Sequence, residues 1–390
     1  MIEFKRYLKL ELPVGQSAFL WGARKTGKSL YLKKHFPNSI TYDLLNTEVY
    51  WRLLAEPQLL RQELLALKKS ELKYPVIIDE VQMVPQLLNE VHWLIENSDA
   101  YFILCGSSAR KLRRDGANML GGRAWRYHFY PLVFAEIPDF NLQRALSHGL
   151  VPSHYLAQNW KKTIAAYVQD YLTEEIKAEG LVRNLAAFAK FIKVAAHSNC
   201  ELVNFANVAQ DCQIDSKTVK EYYQILEDTL LGYFIAPYKD RHKRKDLVAT
   251  PKFYYFDVGV VNGIIRREIT ELKGMAAGNA LEHYILMELI AYRGLNDLDY
   301  EITFWRTRTG LEVDFILGKA EVAIEVKISE HPRLSDLHGL VAFQEEYTSK
   351  KAYTVCMVPR KRKLQINESQ SIDLLPVETF LKMLWKGEII

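Results

Sequence analysis

Apolar runs of strand length alternate with helical segments over the first 150 residues. The runs lie near 18–21, 39–43, 75–79, 101–105 and 125–130. Strands separated by helical spacing predict an α/β sheet. From about residue 155 the pattern changes. Trp160–Leu172 and Leu185–Ala196 carry apolar positions at helical period. Two shorter segments follow, Val203–Asp211 and Asp215–Leu226, joined by Cys212-Gln-Ile. Asn204 and Asp215 stand where each can cap a helix. This is a helix-turn-helix pattern. Leu231–Ile235 and Lys252–Phe256 then read as a strand pair enclosing Lys239–Lys245, which outlines a winged helix. The last third predicts a helix over Gly278–Glu288 and a strand over Glu301–Arg308. A turn at Thr309-Gly310 and strands over Glu312–Leu317 and Val322–Lys327 follow. The expected division is 1–150, 151–258 and 259–390.

Composition narrows this picture only a little. A chain of 390 residues exceeds one core, so two or three domains are expected. It is 49% hydrophobic and 25% charged, ordinary for a soluble globular protein. A net charge of +4 is too small to identify a partner, so clustering of charge must decide. The four cysteines are scattered with no C-x-x-C pair. That argues against a zinc site or disulfide scaffold and fits a reducing cytoplasm. No apolar run is long enough to span a bilayer and Met1–Arg6 lacks an apolar leader, so a cytoplasmic location without a membrane partner is the expectation.

Candidate chemistry begins at Gly22-Ala23-Arg24-Lys25-Thr26-Gly27-Lys28-Ser29, which fits G-x-x-x-x-G-K-[ST] without mismatch. An apolar strand leads in and a helix starting at Ser29-Leu30 leads out. In such a loop the backbone N–H groups cradle phosphates, the Lys reaches the outer phosphates and the Ser hydroxyl meets Mg²⁺. The helix N-terminus adds its dipole. A plain glycine-rich turn is the alternative. Tyr74–Gln82 is a second test: an apolar strand ending in Asp79-Glu80. Asp79 can hold the metal's water shell, and Glu80 can orient and deprotonate the attacking water. A third strand, Ala100–Cys105, ends in Gly106-Ser107-Ser108. There the Ser107 hydroxyl can sense the terminal phosphate, or the stretch is a small-residue turn.

Two further clusters carry chemistry. Arg241, Lys243, Arg244 and Lys245 lie where a wing would reach a phosphate backbone, and Lys217 and Lys220 lie on the second helix of the helix-turn-helix. Phosphate contact is the physical use of such a cluster, and a solvated loop is the alternative. Farther on, period-2 geometry puts Glu312 with Asp314 on one strand face and Glu325 with Lys327 on another. With an acid from the Glu282 helix, these carboxylates can converge on a divalent cation, with the lysine polarising water. A hairpin with a polar solvent face is the alternative.

These motifs together resemble the bacterial and archaeal AAA+ ATPases in which a P-loop domain precedes a winged helix and a C-terminal PD-(D/E)XK nuclease-like domain of uncharacterised function. The matching residues are Gly22–Ser29, Asp79–Gln82, Gly106–Ser108, Leu120–Arg123 with Tyr130-Pro-Leu, Pro251–Gly259, Gly278–Glu282, Glu312–Asp314 and Ile324–Lys327. The resemblance spans nearly the whole chain. It implies an AAA+ fold, Mg²⁺-ATP, and assembly into a homo-oligomeric ring, a hexamer among the options. It makes Glu282, Asp314, Glu325 and Lys327 a nuclease-type tetrad, with Gln344–Tyr347 at an accessory position. It also calls for an arginine acting on a neighbouring subunit, for which Arg123 is the choice and Arg110 and Arg126 the rivals. The acid of the tetrad follows Val313 where the family's pattern has Pro. The expected function is Mg-ATP hydrolysis driving remodelling or translocation on duplex or branched DNA. The alternatives are an ATP-gated metal-dependent endonuclease, or an ATP-controlled DNA-binding switch or scaffold that does not cut.

Overall fold

A computed structural model describes residues 4–108, 120–172, 182, 184–239, 247–347, 349–368 and 370–390. Arg110 and the basic residues Arg241, Lys243, Arg244 and Lys245 lie outside them. The chain divides into two compact units. One is Lys5–Pro131 with Asp228–Leu231, and the other holds the remaining described residues. None of the described helices is long and apolar enough to cross a membrane.

The first unit is built on five strands: β1 (Ser17–Trp21), β2 (Thr41–Asp43), β3 (Val76–Asp79), β4 (Phe102–Gly106) and β5 (Ala124–His128). All five expected strands are therefore present, within one or two residues. They pair in the order β2-β3-β4-β1-β5, every pair parallel. β1, β3 and β4 are buried along their whole length, which explains their unbroken apolar runs: a parallel sheet is covered on both faces. β5 is an edge strand, and Trp125, Arg126 and His128 on it are exposed. Phe19, Ile78, Leu88 and Leu104 are among the core side chains with at most 1% exposure, each contributing about 1.5–3 kcal/mol by burial.

Parallel pairing has a consequence for chemistry. Trp21 is opposite Gly106, and Ile78 is opposite Leu104. The carboxyl ends of β1, β3 and β4 therefore emerge on one side of the sheet, where open α/β sheets hold ligands. Gly22, Asp79-Glu80 and Ser107 are the residues that leave those ends.

The second unit starts with helices. Phe205–Cys212 and Ser216–Asp228 are both present as expected, with their caps. Asn204 Oδ1 accepts from the N–H groups of Ala206 and Asn207 at 3.1 Å each. Asp215 accepts from Thr218 N at 2.9 Å and Thr218 Oγ1 at 2.6 Å. Each such cap is worth about 1 kcal/mol. β6 (Gly232–Ile235) and β7 (Lys252–Tyr255) pair antiparallel beyond them.

A six-stranded mixed sheet completes this unit: β8 (Ile302–Arg306), β9 (Glu312–Leu317), β10 (Val322–Lys327), β11 (Lys351–Cys356), β12 (Arg362–Gln365) and β13 (Ser371–Pro376), in the order β12-β13-β11-β10-β9-β8. The arms of the β6–β7 hairpin continue onto its β8 edge. Tyr238 N donates to Phe304 O at 2.6 Å, and Val248 N to Arg306 O at 3.1 Å. The helix expected at Gly278–Glu288 runs longer, from Gly274 to Leu295.

Glu288 on that helix is 1% exposed. It accepts from Phe134 N at 2.8 Å and from Trp385 Nε1 at 2.7 Å, so it ties the C-terminal helix Val377–Trp385 to the segment after Pro131. Burial pushes its carboxyl from the ordinary 4.5 up to about 7, against the lowering effect of these two donors. The folded state thus binds this proton more tightly than the unfolded chain. The resulting stabilisation is present below pH 4.5 and is lost as pH rises towards 7. We expect the loss to be on the order of 3 kcal/mol. Glu288→Gln should flatten it, as read from chemical denaturation of both proteins across that range. An equal decline in both would remove Glu288 as the cause.

Candidate functional site

The loop after β1 is held by geometry that only small residues allow. A Cβ at Gly22 would collide with the carbonyl oxygen of Phe129. Gly27 has φ +100° and opens the helix Lys28–His35 from the left-handed region, where glycine carries no steric cost. Thr26 is buried and its hydroxyl donates to Ala23 O at 2.7 Å, closing the loop on itself. Lys25 is exposed at φ +58°, and Leu30 is 59% exposed in the helix's first turn.

Lys28 is 5% exposed. Its ammonium donates to Gly22 O at 2.6 Å and Ala23 O at 3.1 Å. A phosphate entering the loop competes for those same protons, so the lysine is already in place and already desolvated. Ser29 Oγ donates to Asp79 Oδ2 at 2.6 Å. A hydroxyl and a carboxylate in contact at the head of a phosphate loop are the oxygen donors that Mg²⁺ takes along with phosphate and water. Ser29 and Asp79 therefore fit that ion.

Glu80 follows Asp79 directly, yet its carboxylate serves a different place. Its backbone has φ 57°, ψ 43°, a left-handed conformation costly for a side chain with a Cβ. This twist sends the two neighbouring carboxylates apart. Glu80 is 5% exposed, and its Oε2 accepts from Gln82 Nε2 at 2.5 Å. The same amide donates to Ser107 Oγ at 3.1 Å. Arg24 Nε lies 3.9 Å from Glu80 Oε1. A Cβ at Gly106 would strike Gln82 Oε1 and Trp21, so glycine before Ser107 leaves room for this amide. The structure brings together Lys28, Ser29, Asp79, Glu80 and Ser107 as the sequence predicts.

Arg123 is not among them. Ser17 pairs with Ala124 and Trp21 with His128, so Arg123 stands beside the start of β1 while Gly22 leaves its end. Its guanidinium pairs with Glu96 at the surface. Arg123 cannot serve the P-loop of its own chain.

Two residues were missed in this unit. Arg6 donates to Thr26 O and Tyr130 O, each at 2.7 Å, and lies 4.1 Å over the Phe129 ring. It braces the loop from twenty residues away, with no local pattern to mark it. Gln82 lay inside the matched motif but had no assigned role.

The second unit's acidic cluster is built at a place where the sheet ladder stops. β9 and β10 are antiparallel up to Phe315–Ile324. The next donor, Val326 N, bonds the Asp314 side chain instead, at Oδ2 and 2.7 Å. Glu325 Oε1 accepts from Lys327 Nζ at 2.6 Å. Burial, then the neighbouring Glu325 and Glu282 charges, raise the Asp314 carboxyl well above its usual range. Burial also raises Glu325, with Lys327 pulling the other way. Glu282 is a charge neighbour of Asp314, Glu325 and Lys327, and it is also paired with another residue, Lys252. Its ammonium, 3% exposed, sits 3.0 Å from Glu282 Oε1 and 2.5 Å from Glu312 Oε1. Among the described residues no three His, Cys, Asp or Glu side chains form a group able to hold a metal ion. Lys252 was missed because a lysine opening an apolar strand reads as a strand end facing water. Gln344 is buried on the helix His338–Glu346, and Lys217 and Lys220 are exposed on theirs.

Comparison with known proteins agrees with the first unit. The family described as an AAA domain matches residues 15–138. Domains of unknown function, DUF8612 and DUF4143, match 139–271 and 277–380. An uncharacterized protein of Mycobacterium tuberculosis is 25% identical over 329 residues, 81% of this chain and 71% of that one. One of Haemophilus influenzae is 24% identical over 363 residues, 84% of this chain and 87% of that one. Among solved structures, the Walker-type ATPase of Pyrococcus abyssi aligns with TM-score 0.40 and 13% identity, over 64% of this chain and 91% of that one. The match of an AAA domain to residues 15–138 supports nucleotide binding and ATP hydrolysis.

Lys28→Ala should weaken nucleotide binding by about a hundredfold, the value of a buried charge-assisted contact. Glu80→Gln should leave binding intact and slow turnover by about 10²–10⁴. Fluorescent-nucleotide titration and phosphate release measure the two. Wild-type turnover in Glu80→Gln would take the water-activating role from Glu80.

Proposed function

We propose that the chain is a Mg-ATP hydrolase that spends nucleotide turnover on remodelling or moving along DNA. The observation that carries the ATP half is the meeting of Lys28, the Ser29–Asp79 pair, Glu80 and Ser107 at one end of a parallel sheet. In this reading the N–H groups of Gly22–Leu30 cradle the phosphates. Lys28 neutralises the outer ones. Ser29 and Asp79 hold Mg²⁺ and its waters. Glu80 leaves Gln82 to orient and deprotonate the attacking water, and Ser107 reports the terminal phosphate. Positioning and charge stabilisation are what phosphoryl transfer requires of a protein.

Arg123 belongs to this scheme only from a neighbouring copy. Its place at the far end of β1, on the edge-strand side, supports a homo-oligomer, with a ring as the arrangement in which each arginine meets the next subunit's nucleotide. The functional division we assign is an AAA+ core over 1–150, a winged-helix middle over 151–258 and a nuclease-like domain over 259–390.

The DNA half rests on shape and charge. Two capped helices joined by a tight turn lead into the β6–β7 hairpin, and Lys217 and Lys220 are exposed on the second helix. The basic residues Arg241, Lys243, Arg244 and Lys245 fall between the hairpin's strands in sequence. Such clusters bind phosphate backbones by releasing counterions.

Steady-state ATP hydrolysis measured with and without single-stranded, duplex and junction DNA tests the proposal, with stimulation by at least one of them expected. Neutralising Lys217 and Lys220 together with Lys243, Arg244 and Lys245 should weaken binding and lower the log–log salt slope by about 0.9 for each lost contact to B-form duplex. ATPase activity indifferent to every DNA, with no binding at low salt, would end the DNA reading and leave the ATPase.

A further inference from the structure

The phosphate loop carries two adjacent cations, Arg24 and Lys25, in different surroundings. Lys25, at φ +58°, is exposed. Arg24 is half-buried, and its Nε lies 3.9 Å from Glu80 Oε1. The Arg24 side chain is 30% exposed and that of Glu80 is 7% exposed, so the arginine still meets solvent while the carboxylate hardly does.

Three contacts fix where this pair stands. Gly22 N donates to Gly106 O at 3.2 Å, which ties the first residue of the loop to the end of β4, one residue before Ser107. Gln82 Nε2 donates to both Glu80 Oε2 and Ser107 Oγ. Lys28 Nζ donates to Gly22 O and Ala23 O, the two carbonyls just ahead of Arg24. Arg24 therefore follows directly on the carbonyls that hold the ammonium assigned to the outer phosphates. Its guanidinium faces the carboxylate assigned to the attacking water. A terminal phosphate lies between those two groups in this scheme, and Arg24 stands beside it.

Charge favours the same place. Glu80 offers Arg24 a single negative charge. A terminal phosphate brings more charge and three oxygens, which a guanidinium fork matches. It competes with Glu80 for Arg24, and a guanidinium that turns to the phosphate leaves the carboxylate to the water.

We propose that Arg24 is a catalytic arginine supplied by the same chain that holds the nucleotide, in contact with its terminal phosphate. This rests on the ATPase reading above and names one more residue of that site. In the step, the water oxygen bonds the terminal phosphorus as the bond from phosphorus to the bridging oxygen breaks. The electron pair of that bond stays on the bridging oxygen of ADP, and one water proton passes to Glu80. Charge spreads over the equatorial oxygens in the transition state, and Arg24 neutralises part of it. Arg123 stands at the other end of β1, whereas Arg24 needs no neighbouring copy.

The test compares full-length wild type with Arg24→Ala and with Arg24→Gln, which is neutral but of longer reach. Binding of ADP, of a non-hydrolysed ATP analogue and of ADP with aluminium fluoride is read beside phosphate release. Both variants should bind ADP as wild type does and lose about tenfold or more in affinity for the ATP analogue. They should fail to hold ADP with aluminium fluoride and slow turnover by about 10³. Free guanidinium should restore part of the rate to Arg24→Ala. An arginine that only braces Glu80 would leave the ratio of ATP-analogue to ADP affinity at its wild-type value, and that result overturns the proposal. Mixing Arg24→Ala with Lys28→Ala should recover no activity, and recovery would move the arginine's action to a neighbouring subunit and overturn it too. A wild type that binds no ATP removes the ATPase reading and this assignment together. Wild-type turnover in Arg24→Ala removes the assignment alone. Should Arg24→Ala fail to fold, Arg24→Gln carries the same comparisons.

Discussion

The chemistry of the first unit depends on one constraint, the parallel register of β1, β3 and β4. Parallel strands discharge their carboxyl ends on the same side, so the polar residues that follow each apolar run must meet there. Nothing else would bring Ser29 and Asp79, fifty residues apart, to 2.6 Å. The loop's close approach to Phe129 follows from the same packing, because β5 pairs with β1 and carries the chain past Gly22. Arg6 then closes the arrangement by bonding both the loop and the segment after β5.

Within that frame, two adjacent carboxylates acquire different tasks. The left-handed backbone at Glu80 is the physical device that separates them. Asp79 faces the Ser29 hydroxyl at the head of the phosphate loop. Glu80 faces the Gln82 amide, which also holds Ser107. The one amide thus links Glu80 to Ser107. Strain kept at such a residue is tolerated where the surroundings determine it fully.

The second unit sets its carboxylates among basic side chains. In the P-loop domain, Asp79 accepts from the Ser29 hydroxyl at Oδ2 and from Glu80 N at Oδ1. In the acidic cluster, Lys252 pairs with Glu282 and Glu312, Arg306 with Glu312, and Lys327 with Glu325. Removing one partner from such a buried set is costly, whereas the complete set is close to neutral.

Much of this was legible in the sequence. Local pattern determined the five strands of the first sheet, the two caps at Asn204 and Asp215, the β6–β7 pair and the phosphate-loop residues. These features depend on period, on side chains acting within a few residues, and on glycine at positive φ, all of which are written locally. Tertiary structure alone decided the rest. It placed Arg123 at the opposite end of β1 from the P-loop, because strand register sets which residues are neighbours. It gave Gln82 its hold on Glu80 and Arg6 its hold on Thr26, since a hydrogen bond between distant residues leaves no period to detect. Above all, it brought Lys252 into the acidic cluster. A cation's effect on a carboxylate falls with distance in space and is indifferent to distance along the chain, so the sequence determined which charges exist and only the fold determined which of them cancel.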